Sequence, residues 1–492
     1  MTEESEKKEI FVNVTSTEVR AALLENGVLQ EVHIERSTQR GIVSNIYKGK
    51  VSRVLPGMQA AFIDLGLERT AFLHVSDIVI PKAVEKNSDE LDIKDVLHEG
   101  DDIMVQVVKD PLGNKGARMT MLITLPSRYL VLMPHGDSVG ISTRIEDDDE
   151  KERLRDMVEG LLKENILEYG VIVRTAAEGA ALETIAADLR YTLKLWNKVQ
   201  QRYMSANVKT MIYEDVSLPL RVLRDMLSTD VERVLVDSKV DFTMMLDFAS
   251  TYIPNAELIL EHYKECHPIF DLHDIEDEIK KALSRNINLE SGGYVIFDQT
   301  EAMNTIDVNT GGYVGHHNFE ETIYRTNLEA AVVIARQLRL RNLGGIIIID
   351  FIDMEEQDHR NNVLYELKKS LSRDQARHQI MPVSSLGLVE MTRKRTRESL
   401  QHVLGKDCAG CGGRGFVMKV ETVYFEVLRE IIKQSRQFEF QKVSILAHQD
   451  MIEFLLDGQG LGLTELEKQT GKSIRLQAES LYDQDQFDVV LM

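Results

Sequence analysis

The sequence contains only three cysteines among its 492 residues. So few cysteines argue against a disulfide framework and fit a chain that folds in a reducing compartment. No apolar run approaches the ~20 residues that a membrane-spanning helix requires. Residues 1–9 are polar and acidic, without the apolar core of a secretory signal. We therefore expect a cytoplasmic protein with no membrane span.

Basic residues are also in deficit. The chain has 58 Lys and Arg against 80 Asp and Glu, which gives a formal net charge of -22. This balance excludes a histone-like coating of nucleic acid, but it allows a local basic groove in an acidic body. The length exceeds what one hydrophobic core supports, so we expect about three or more structural units.

Two segments place carboxylates at the ends of predicted strands. In the strand predicted over residues 303–309, Asp307 and Asn309 share one face. Four consecutive isoleucines, which we expect to be buried on both faces, end at Asp350. A helix predicted over residues 319–343 connects the two strands. If the strands are neighbours, both aspartates lie at the sheet end where ligands usually bind.

Two like charges so close together require a cation. Mg²⁺ is the first expectation because it takes oxygen ligands, keeps waters and accepts a phosphate partner, and Mn²⁺ stays open as the working ion. The alternative is purely structural. In that interpretation the segment around Asp307 is a turn and Asp350 caps a helix that starts near Glu355. Spacing alone does not separate the two interpretations.

Residues 41–121 read as short strands separated by glycine-containing turns. This pattern predicts a small five-stranded barrel of the OB type. Phe62 and Phe72 would stack bases there beside a phosphate track. The cations near them in sequence are Lys48, Lys50, Arg53 and Lys115. Alternatively, both phenylalanines belong to the barrel core.

Two further basic features have open interpretations. Arg174 and Thr175 follow a predicted strand just before a predicted helix, a position that suits phosphate ligands. The compact basic run at residues 393–397 either faces RNA or forms the exposed stripe of a helix.

Cys266 has no cysteine near it in sequence, and we expect it to be a small buried residue.

Cys408 and Cys411 form a Cys-x-x-Cys pair followed by two glycines. This spacing turns two thiolates toward one zinc ion, which takes four ligands in a structural site. The chain has no second such pair, so another copy would supply it, which predicts a zinc-linked homodimer. A redox Cys-x-x-Cys is the alternative, although that motif usually opens a helix and two glycines start a helix poorly.

Several motifs in order carry a resemblance that covers essentially the whole chain. The segments are residues 45–49, 60–64, 113–116, 173–175, 305–309, 349–354, 387–393 and the pair Cys408 and Cys411. On these motifs the chain resembles the ribonuclease E/G family of bacterial endoribonucleases. It stops after a small closing domain, so we expect a short member without the long disordered extension that others carry.

The resemblance implies a multidomain α+β fold. It has RNase H-like and DNase I-like α/β subdomains, an inserted OB-fold β-barrel, a zinc-link and a small C-terminal domain. The implied boundaries are 1–38 and 219–281 for the two RNase H-like parts, 39–122 for the OB-fold, 123–218 for a 5′-end sensor region, 282–404 for the DNase I-like catalytic subdomain, 405–418 for the zinc-link and 419–492 for the C-terminal domain.

The resemblance also implies roles for particular residues. Asp307 and Asp350 would hold the catalytic Mg²⁺, with Asn309 orienting the scissile phosphate or a water molecule. Cys408 and Cys411 would share one structural Zn²⁺ with a second chain. The implied RNA-binding residues are Phe62, Phe72 and Lys115, and the implied 5′-phosphate sensor residues are Val131, Arg174, Thr175 and Arg377.

The implied activity is a single-strand-specific, Mg²⁺-dependent endoribonuclease that is stimulated by a 5′-monophosphate and leaves 5′-phosphate and 3′-hydroxyl ends. Its implied substrates are A/U-rich segments of ribosomal RNA precursors and messenger RNA, in 5′-end maturation and turnover, with no DNA substrate. The active unit would be a dimer, with tetramers left open. The alternative is a non-catalytic RNA-binding or assembly protein.

Overall fold

The structure is a computed structural model. It describes residues 7–37, 40–79, 92–111, 116–164, 168–228, 230–253, 256–312, 319–395, 397–457, 467–468 and 471–492. The chain divides into two compact units, Met1–Leu400 and Gln401–Met492. Within the described ranges, no helix has both the length and the apolar character needed to cross a membrane.

The first unit begins with three antiparallel strands: β1 (Lys8–Val14), β2 (Glu18–Glu25) and β3 (Val28–Arg36). The alternation of apolar and polar residues predicts only two strands here, at residues 10–14 and 28–34, around a short segment. Strand β2 was missed because every residue from Ala21 to Glu25 is buried, so it lacks the alternation that marks a strand with one exposed face.

A closed barrel follows. Its strands are β4 (Ile46–Leu55), β5 (Ala60–Asp64), β6 (Ala71–His74), β7 (Asp102–Lys109) and β8 (Arg118–Thr120). They pair in the order β4-β5-β6-β8-β7, and β4 pairs again with β7 to close the ring. Apolar side chains such as Ile63, Leu73 and Val105 fill the interior. Five strands closed in this order are consistent with the expected OB-like fold.

The next region is a small sheet with two helices. Its elements are β9 (Leu125–Pro126), β10 (Leu130–Met133), β11 (Val139–Ile141), α1 (Asp148–Glu164), β12 (Gly170–Val173) and α2 (Leu182–Ser205). The strand order is β11-β12-β10-β9. Strand β13 (Thr210–Tyr213) then pairs with β4 of the barrel, which ties this region to the barrel.

The chain then returns to its first sheet. The elements are α3 (Leu218–Arg221), which continues into a π-helical turn (Val222–Met226), β14 (Val231–Val236), α4 (Lys239–Tyr252), β15 (Leu260–His262) and α5 (Ile275–Leu283). Strand β14 pairs in parallel with β1, so the sheet has the order β15-β14-β1-β2-β3. Cys266 follows β15 and is exposed, so the expectation that it is buried was wrong.

The largest mixed sheet closes the first unit. Its elements are β16 (Asn286–Asn288), β17 (Tyr294–Gln299), β18 (Met303–Asn309), α6 (Phe319–Leu340), β19 (Gly345–Asp350), α7 (Gln357–Leu371), β20 (His378–Ile380) and β21 (Leu388–Arg393). The strand order is β16-β17-β18-β19-β21-β20. Helix α8 (Leu400–Leu404) lies where the two units meet in sequence.

Within the part of the chain that the structure describes, only one face of this sheet is covered. Ile347 and Ile349 of β19 pack in a core with residues of α6 and α7 and are completely buried. Ile346 on the other face is 49% exposed. The expectation that the isoleucine run is buried on both faces was therefore wrong, and the sheet keeps an open face on which a ligand can lie.

The second unit contains α9 (Val420–Gln437), β22 (Lys442–Ala447), α10 (Gln449–Leu456), β23 (Ser473–Ala478) and β24 (Phe487–Leu491). Strand β22 is central, parallel to β23 and antiparallel to β24. Residues of α9, α10 and β22 form the buried core of this unit.

Candidate functional site

The two aspartates singled out in the sequence meet on the open face of the mixed sheet. Strands β18 and β19 are parallel, and Asp307 pairs in register with Asp350. Residues directly opposite each other on neighbouring strands share a face of the sheet. Both side chains belong to exposed residues, while Ile296 and Leu388 continue the same row on β17 and β21. The fold thus places two carboxylates side by side at the end of β19.

The environment of this pair increases its need for positive charge. Burial, the carboxylate of Asp307 and that of Asp353 together raise the pKa of Asp350. Asn309 Nδ2 donates a hydrogen bond of 2.7 Å to Asp307 Oδ2, which fixes the orientation of that carboxylate. Asp307, Asn309 and Asp350 are therefore brought together by the fold.

The structural alternative for these residues is excluded by the same geometry. Asp307 lies within strand β18 and not in a turn. Helix α7 begins at Gln357 with Glu356 as its N-cap residue, so Asp350 does not cap it.

A Mg²⁺ ion fits this donor set. Mg²⁺ is typically held by one or two carboxylates, several waters and a substrate phosphate. The described residues contain no group of three or more His, Cys, Asp or Glu placed to hold an ion, but the pair on the open sheet face provides two carboxylates with space beside them. Burial and the neighbouring carboxylates of Asp307 and Asp353 raise the pKa of Asp350, and a bound cation would offset this repulsion.

Asp353 is a neighbour of the site that the sequence interpretation did not single out. A Cβ atom added to Gly387 would lie 3.2 Å from Asp353 Oδ1, so this carboxylate lies against the residue that precedes Leu388. The available signal was the spacing Asp-x-x-Asp at residues 350–353, which is too short and too common to indicate a site alone.

The barrel presents two aromatic rings outside its core. Phe62 on β5 and Phe72 on β6 are register partners, and their ring centroids are 6.3 Å apart at an interplanar angle of 70°. Both are partly exposed, and neither belongs to the buried barrel core. The alternative that they are core residues is therefore wrong, and the rings are available to stack on bases.

Cations extend this aromatic pair across the barrel. Arg53 on β4 is the register partner of Phe62, and Arg118 on β8 is the partner of Phe72. Lys109 on β7 continues the row beside Arg118. We call this row of five residues the barrel row; it consists of Arg53, Phe62, Phe72, Arg118 and Lys109. Arg118 and Lys109 were missed because a sequence does not show which strands are adjacent.

The other cations expected here have different positions. Lys48 Nζ donates to the carbonyl oxygens of Tyr203 and Ala206, at 3.2 and 3.1 Å, at the end of α2. Lys50 Nζ lies 3.5 Å from the Asp102 carboxylate. Lys48 is thus a helix-capping residue and not part of a phosphate track, and Lys115 lies outside the described residues.

Arg174 lies where β12 ends, with its guanidinium held from two sides. Its Nη1 donates to the carbonyl oxygen of Ser127 at 2.5 Å, and its Nη2 lies 2.9 Å from Asp225 Oδ1. Thr175 follows in a 3₁₀ turn that ends at Ala177. The α-helix expected directly after Arg174 begins only at Leu182, so no helix N-terminus contributes to phosphate binding at this position.

The other sensor candidates lie on two chain segments. Val131 is on β10, opposite Ile172 of β12. Arg377 is exposed in the segment before β20. Arg144 Nη2 joins the segments, because it donates to the carbonyl oxygens of Asp374, at 3.3 Å, and Gln375. The fold therefore brings the segment of Arg377 to the small sheet. Val131 lies in that sheet, and Arg174 and Thr175 directly follow its strand β12.

The basic run at residues 393–397 is neither a helical stripe nor a uniformly exposed surface. Arg393 ends β21 and is buried against Asp374, with Nε 2.5 Å from Oδ2. Arg395 Nε donates to the carbonyl oxygen of Gly344, and Arg397 Nη1 donates to that of Val32. The helical-stripe interpretation of the run was therefore wrong. Arg393 is buried and unavailable to RNA, and the interpretation that the exposed remainder of the run faces RNA stays a prediction.

Cys408 and Cys411 lie in a turn-rich segment of the second unit, before α9. The backbone N–H groups of Gly415 and Gly413, together with the Cys408 side chain, lower the pKa of Cys411. A thiol that ionises more easily is a better zinc ligand. The pair opens no helix, which disfavours the redox alternative, and its role as a zinc ligand pair stays a prediction.

Comparisons with known proteins agree with these features. The model of the ribonuclease E/G family matches residues 124–396, and that of the RNase E/G thioredoxin-like domain matches residues 407–491. Ribonuclease G of Salmonella typhimurium (strain SL1344) is 50% identical over 489 residues, which cover 98% of this chain and 99% of that protein. Ribonuclease G of Haemophilus influenzae is 49% identical over 490 residues, with the same coverage. Ribonuclease E of Escherichia coli (strain K12) is 36% identical over 460 residues, 92% of this chain and 43% of that protein.

Proposed function

The chain belongs to the ribonuclease E/G family and is an endoribonuclease, and from this premise we propose that it cuts single-stranded RNA in a Mg²⁺-dependent reaction at Asp307 and Asp350. The observation that carries this proposal is the register pairing of the two aspartates on an open sheet face. On the same premise, the β15-β14-β1-β2-β3 sheet is the RNase H-like subdomain and the β16–β21 sheet is the DNase I-like catalytic subdomain.

The two aspartates share one task and Asn309 has another. Asp307 and Asp350 would hold the ion between them, and Asn309 keeps the Asp307 carboxylate oriented through its 2.7 Å hydrogen bond. When bound, Mg²⁺ supplies charge neutralisation at the phosphate and lowers the pKa of a water molecule. Hydrolysis adds the water oxygen to phosphorus and releases the 3′-oxygen, which takes a proton. The products are a 5′-phosphate and a 3′-hydroxyl end.

The barrel row would select single strands. Stacking on an aromatic side chain requires a base whose face is accessible, and bases within a duplex are stacked on each other. Phe62 and Phe72 offer the stacking surface, while Arg53, Arg118 and Lys109 would attract the phosphates on either side. Lys115, on the segment just before Arg118, would add to this clamp.

The 5′-end sensor would be built around Arg174. The Ser127 carbonyl and Asp225 hold its guanidinium in one orientation, and a guanidinium has five N–H donors, so further donors are available to a phosphate. Thr175 adds a hydroxyl, Val131 an apolar wall and Arg377 a second cation. A 5′-monophosphate would bind there and stimulate cleavage, whereas a 5′-hydroxyl has no charge to bind.

The Cys pair would link two copies of the chain. Structural zinc takes four ligands, and Cys408 with Cys411 provides two, so a second copy would complete the site. This makes the homodimer the proposed active unit. Ribosomal RNA precursors and messenger RNA with A/U-rich single-stranded segments are the proposed substrates, in the cytoplasm.

The test is cleavage of a short 5′-monophosphorylated single-stranded RNA by wild type, Asp307→Asn and Asp350→Asn, each with Mg²⁺ and with EDTA. We expect cleavage by wild type with Mg²⁺ alone, and binding of the RNA by all three proteins. Both substitutions keep the size of the side chain and remove its charge.

Asp298→Asn is the matched control. Asp298 lies on β17 in the same sheet, in register with Thr305, and its carboxylate pairs with Arg285 at 2.6 Å. Loss of that pair should leave cleavage unchanged. Cleavage by Asp307→Asn at the wild-type rate would contradict the proposal. Binding without cleavage by every protein would favour a non-catalytic RNA-binding role.

A further inference from the structure

The loop that follows Asp350 is held in place by side chains of α6. This loop comprises residues 351–356. The buried side chain of Asn327 donates through Nδ2 to the carbonyl oxygen of Ile352 at 2.8 Å, and its Oδ1 accepts from the Ile352 N–H at 3.1 Å. The N–H groups of Glu355 and Glu356 both donate to Glu320 Oε1, at 3.0 and 3.4 Å. Helix α6 therefore fixes this loop at both ends.

The residues that hold the loop lie on one face of α6, and this face also contacts α7. Glu320, Tyr324 and Asn327 are spaced by four and three residues, so they lie on one helix face. His359 of α7 stacks on Tyr324, with ring centroids 4.1 Å apart at 12°. Its Nδ1 lies 3.3 Å from Glu320 Oε1 and its Nε2 lies 3.4 Å from Glu356 Oε2.

The carboxylate of Glu320 is thus surrounded by donors. Its side chain is 19% exposed and that of His359 is 15% exposed. Burial acts to raise the pKa of Glu320, but the N–H groups of Glu356 and Glu355 and the His359 side chain lower it overall. A carboxylate held by several donors at once is well oriented, which makes it a rigid support for the loop.

Asp353 lies between the two fixed points of the loop. Its carboxylate is near Gly387, the residue before Leu388, and Leu388 is the register partner of Asp350. The loop therefore places a third negative charge at the end of the sheet where the Asp307–Asp350 pair lies.

We propose that Glu320 and His359 are positioning residues, which hold the 351–356 loop so that Asp353 strengthens the attraction of the Asp307–Asp350 pair for a divalent cation. This inference rests on the proposed function, because it assigns a support to the proposed Mg²⁺ site. Neither residue touches the reacting atoms.

The expected effect is on cation affinity. If the His359 contact is lost, Glu320 loses one of its donors and the loop can move, so Asp353 no longer has a fixed distance from the pair. Loss of a residue that orients a metal ligand or its surroundings typically weakens metal affinity by about 10- to 100-fold. Because Asp353 acts on the cation through the electric field of its charge, we expect a loss of cation affinity at the lower end of this range, about 10-fold.

The experiment measures cation binding directly on the full chain without RNA. Mn²⁺ is titrated into wild type, His359→Ala, Glu320→Gln and Asp307→Asn, and the free ion is followed by electron paramagnetic resonance. We expect the Kd for Mn²⁺ to rise about 10-fold in the two support variants and binding to be lost in Asp307→Asn. Asp358→Ala is the matched control, since Asp358 is an exposed residue one position before His359 on α7.

A second readout separates positioning from general damage. The Mg²⁺ concentration for half-maximal cleavage should rise with the Kd, while the KM for RNA and the kcat at saturating Mg²⁺ stay near wild type. His359→Gln, whose amide can still donate to Glu320, should recover most of the affinity. Melting curves identify a variant that fails to fold, and if His359→Ala is that variant, Glu320→Gln carries the test.

Two outcomes overturn the inference in distinguishable ways. If folded His359→Ala and Glu320→Gln both bind Mn²⁺ like wild type while Asp307→Asn does not, the cation site stands and the support role is wrong. If Asp307→Asn itself binds Mn²⁺ and cleaves RNA like wild type, the proposed function fails and the inference fails with it.

Discussion

Replacing Arg393 tests whether the basic run stabilises the fold or binds RNA. Arg393 Nε and Nη2 lie 2.5 and 3.0 Å from the two carboxylate oxygens of Asp374, and its Nη1 donates to the carbonyl of Leu343 at 2.9 Å. The Arg393 and Asp374 side chains are 4% and 2% exposed. Arg393→Leu would leave the Asp374 carboxylate buried with its charge uncompensated. Breaking a buried pair in this way costs about 3–5 kcal/mol, a large share of the roughly 5–15 kcal/mol that stabilises a folded domain.

The assay compares thermal unfolding and RNA binding of Arg393→Leu with those of Lys394→Leu. Lys394 is the exposed neighbour in the same run, so its replacement should leave the melting temperature unchanged. Replacing Arg393 and Asp374 together by leucine should recover most of the lost stability, because no buried charge remains. A folded Arg393→Leu protein with wild-type stability and weakened RNA binding would refute the structural assignment.

Three further predictions concern the sensor, the zinc pair and acid stability. Arg174→Ala should remove the preference for 5′-monophosphorylated over 5′-hydroxylated RNA in competition cleavage assays, whereas Arg190→Ala on the exposed face of α2 should keep it. Cys408→Ser should release zinc and shift the protein to monomers in sedimentation, whereas Cys266→Ser should not, and one zinc per monomer with dimers intact would contradict the shared site. Burial and the charge of Arg397 lower the pKa of His33 to about 4, so the unfolded chain binds more protons and stability should fall as the pH drops from about 6.5 towards 4. His33→Gln should flatten the melting temperature over this range, and an unchanged pH dependence would contradict it.

The candidate residues Asp307, Asn309 and Asp350 could be singled out in the sequence because their signals are local. Asp307 and Asn309 alternate with buried apolar residues on β18, and Asp350 ends an apolar run. The register between β18 and β19 was not predictable, since a sequence does not show which strands are neighbours. The same limit applies to the barrel row, where Arg118 becomes a neighbour of Phe72 only through a parallel pairing.

The basic run shows why local charge is a poor guide to function. Arg393 pairs with an aspartate 19 residues earlier, and Arg395 and Arg397 bind backbone carbonyls of distant segments. No periodicity or composition reveals these partners. Lys48 was misassigned for the same reason, because the carbonyls that it binds belong to the end of α2.

These partnerships predict that RNA binding and RNA cleavage occur on different surfaces. Asp307 and Asp350 form one register row of the open sheet face. Asp298 and Glu390 lie two residues away in a second row, which runs through Thr305 and Ile348, and Asp298 is paired there with Arg285. Such a surface repels a phosphate backbone unless a cation lies between them. The barrel row has the opposite character, with two rings among three cations, of which Arg118 is paired with Asp77 at 2.9 Å. RNA affinity should therefore depend mainly on the barrel row and decrease with added salt. The position of the cut should depend on the cation at Asp307 and Asp350, which is why Asp307→Asn is expected to bind RNA that it does not cleave.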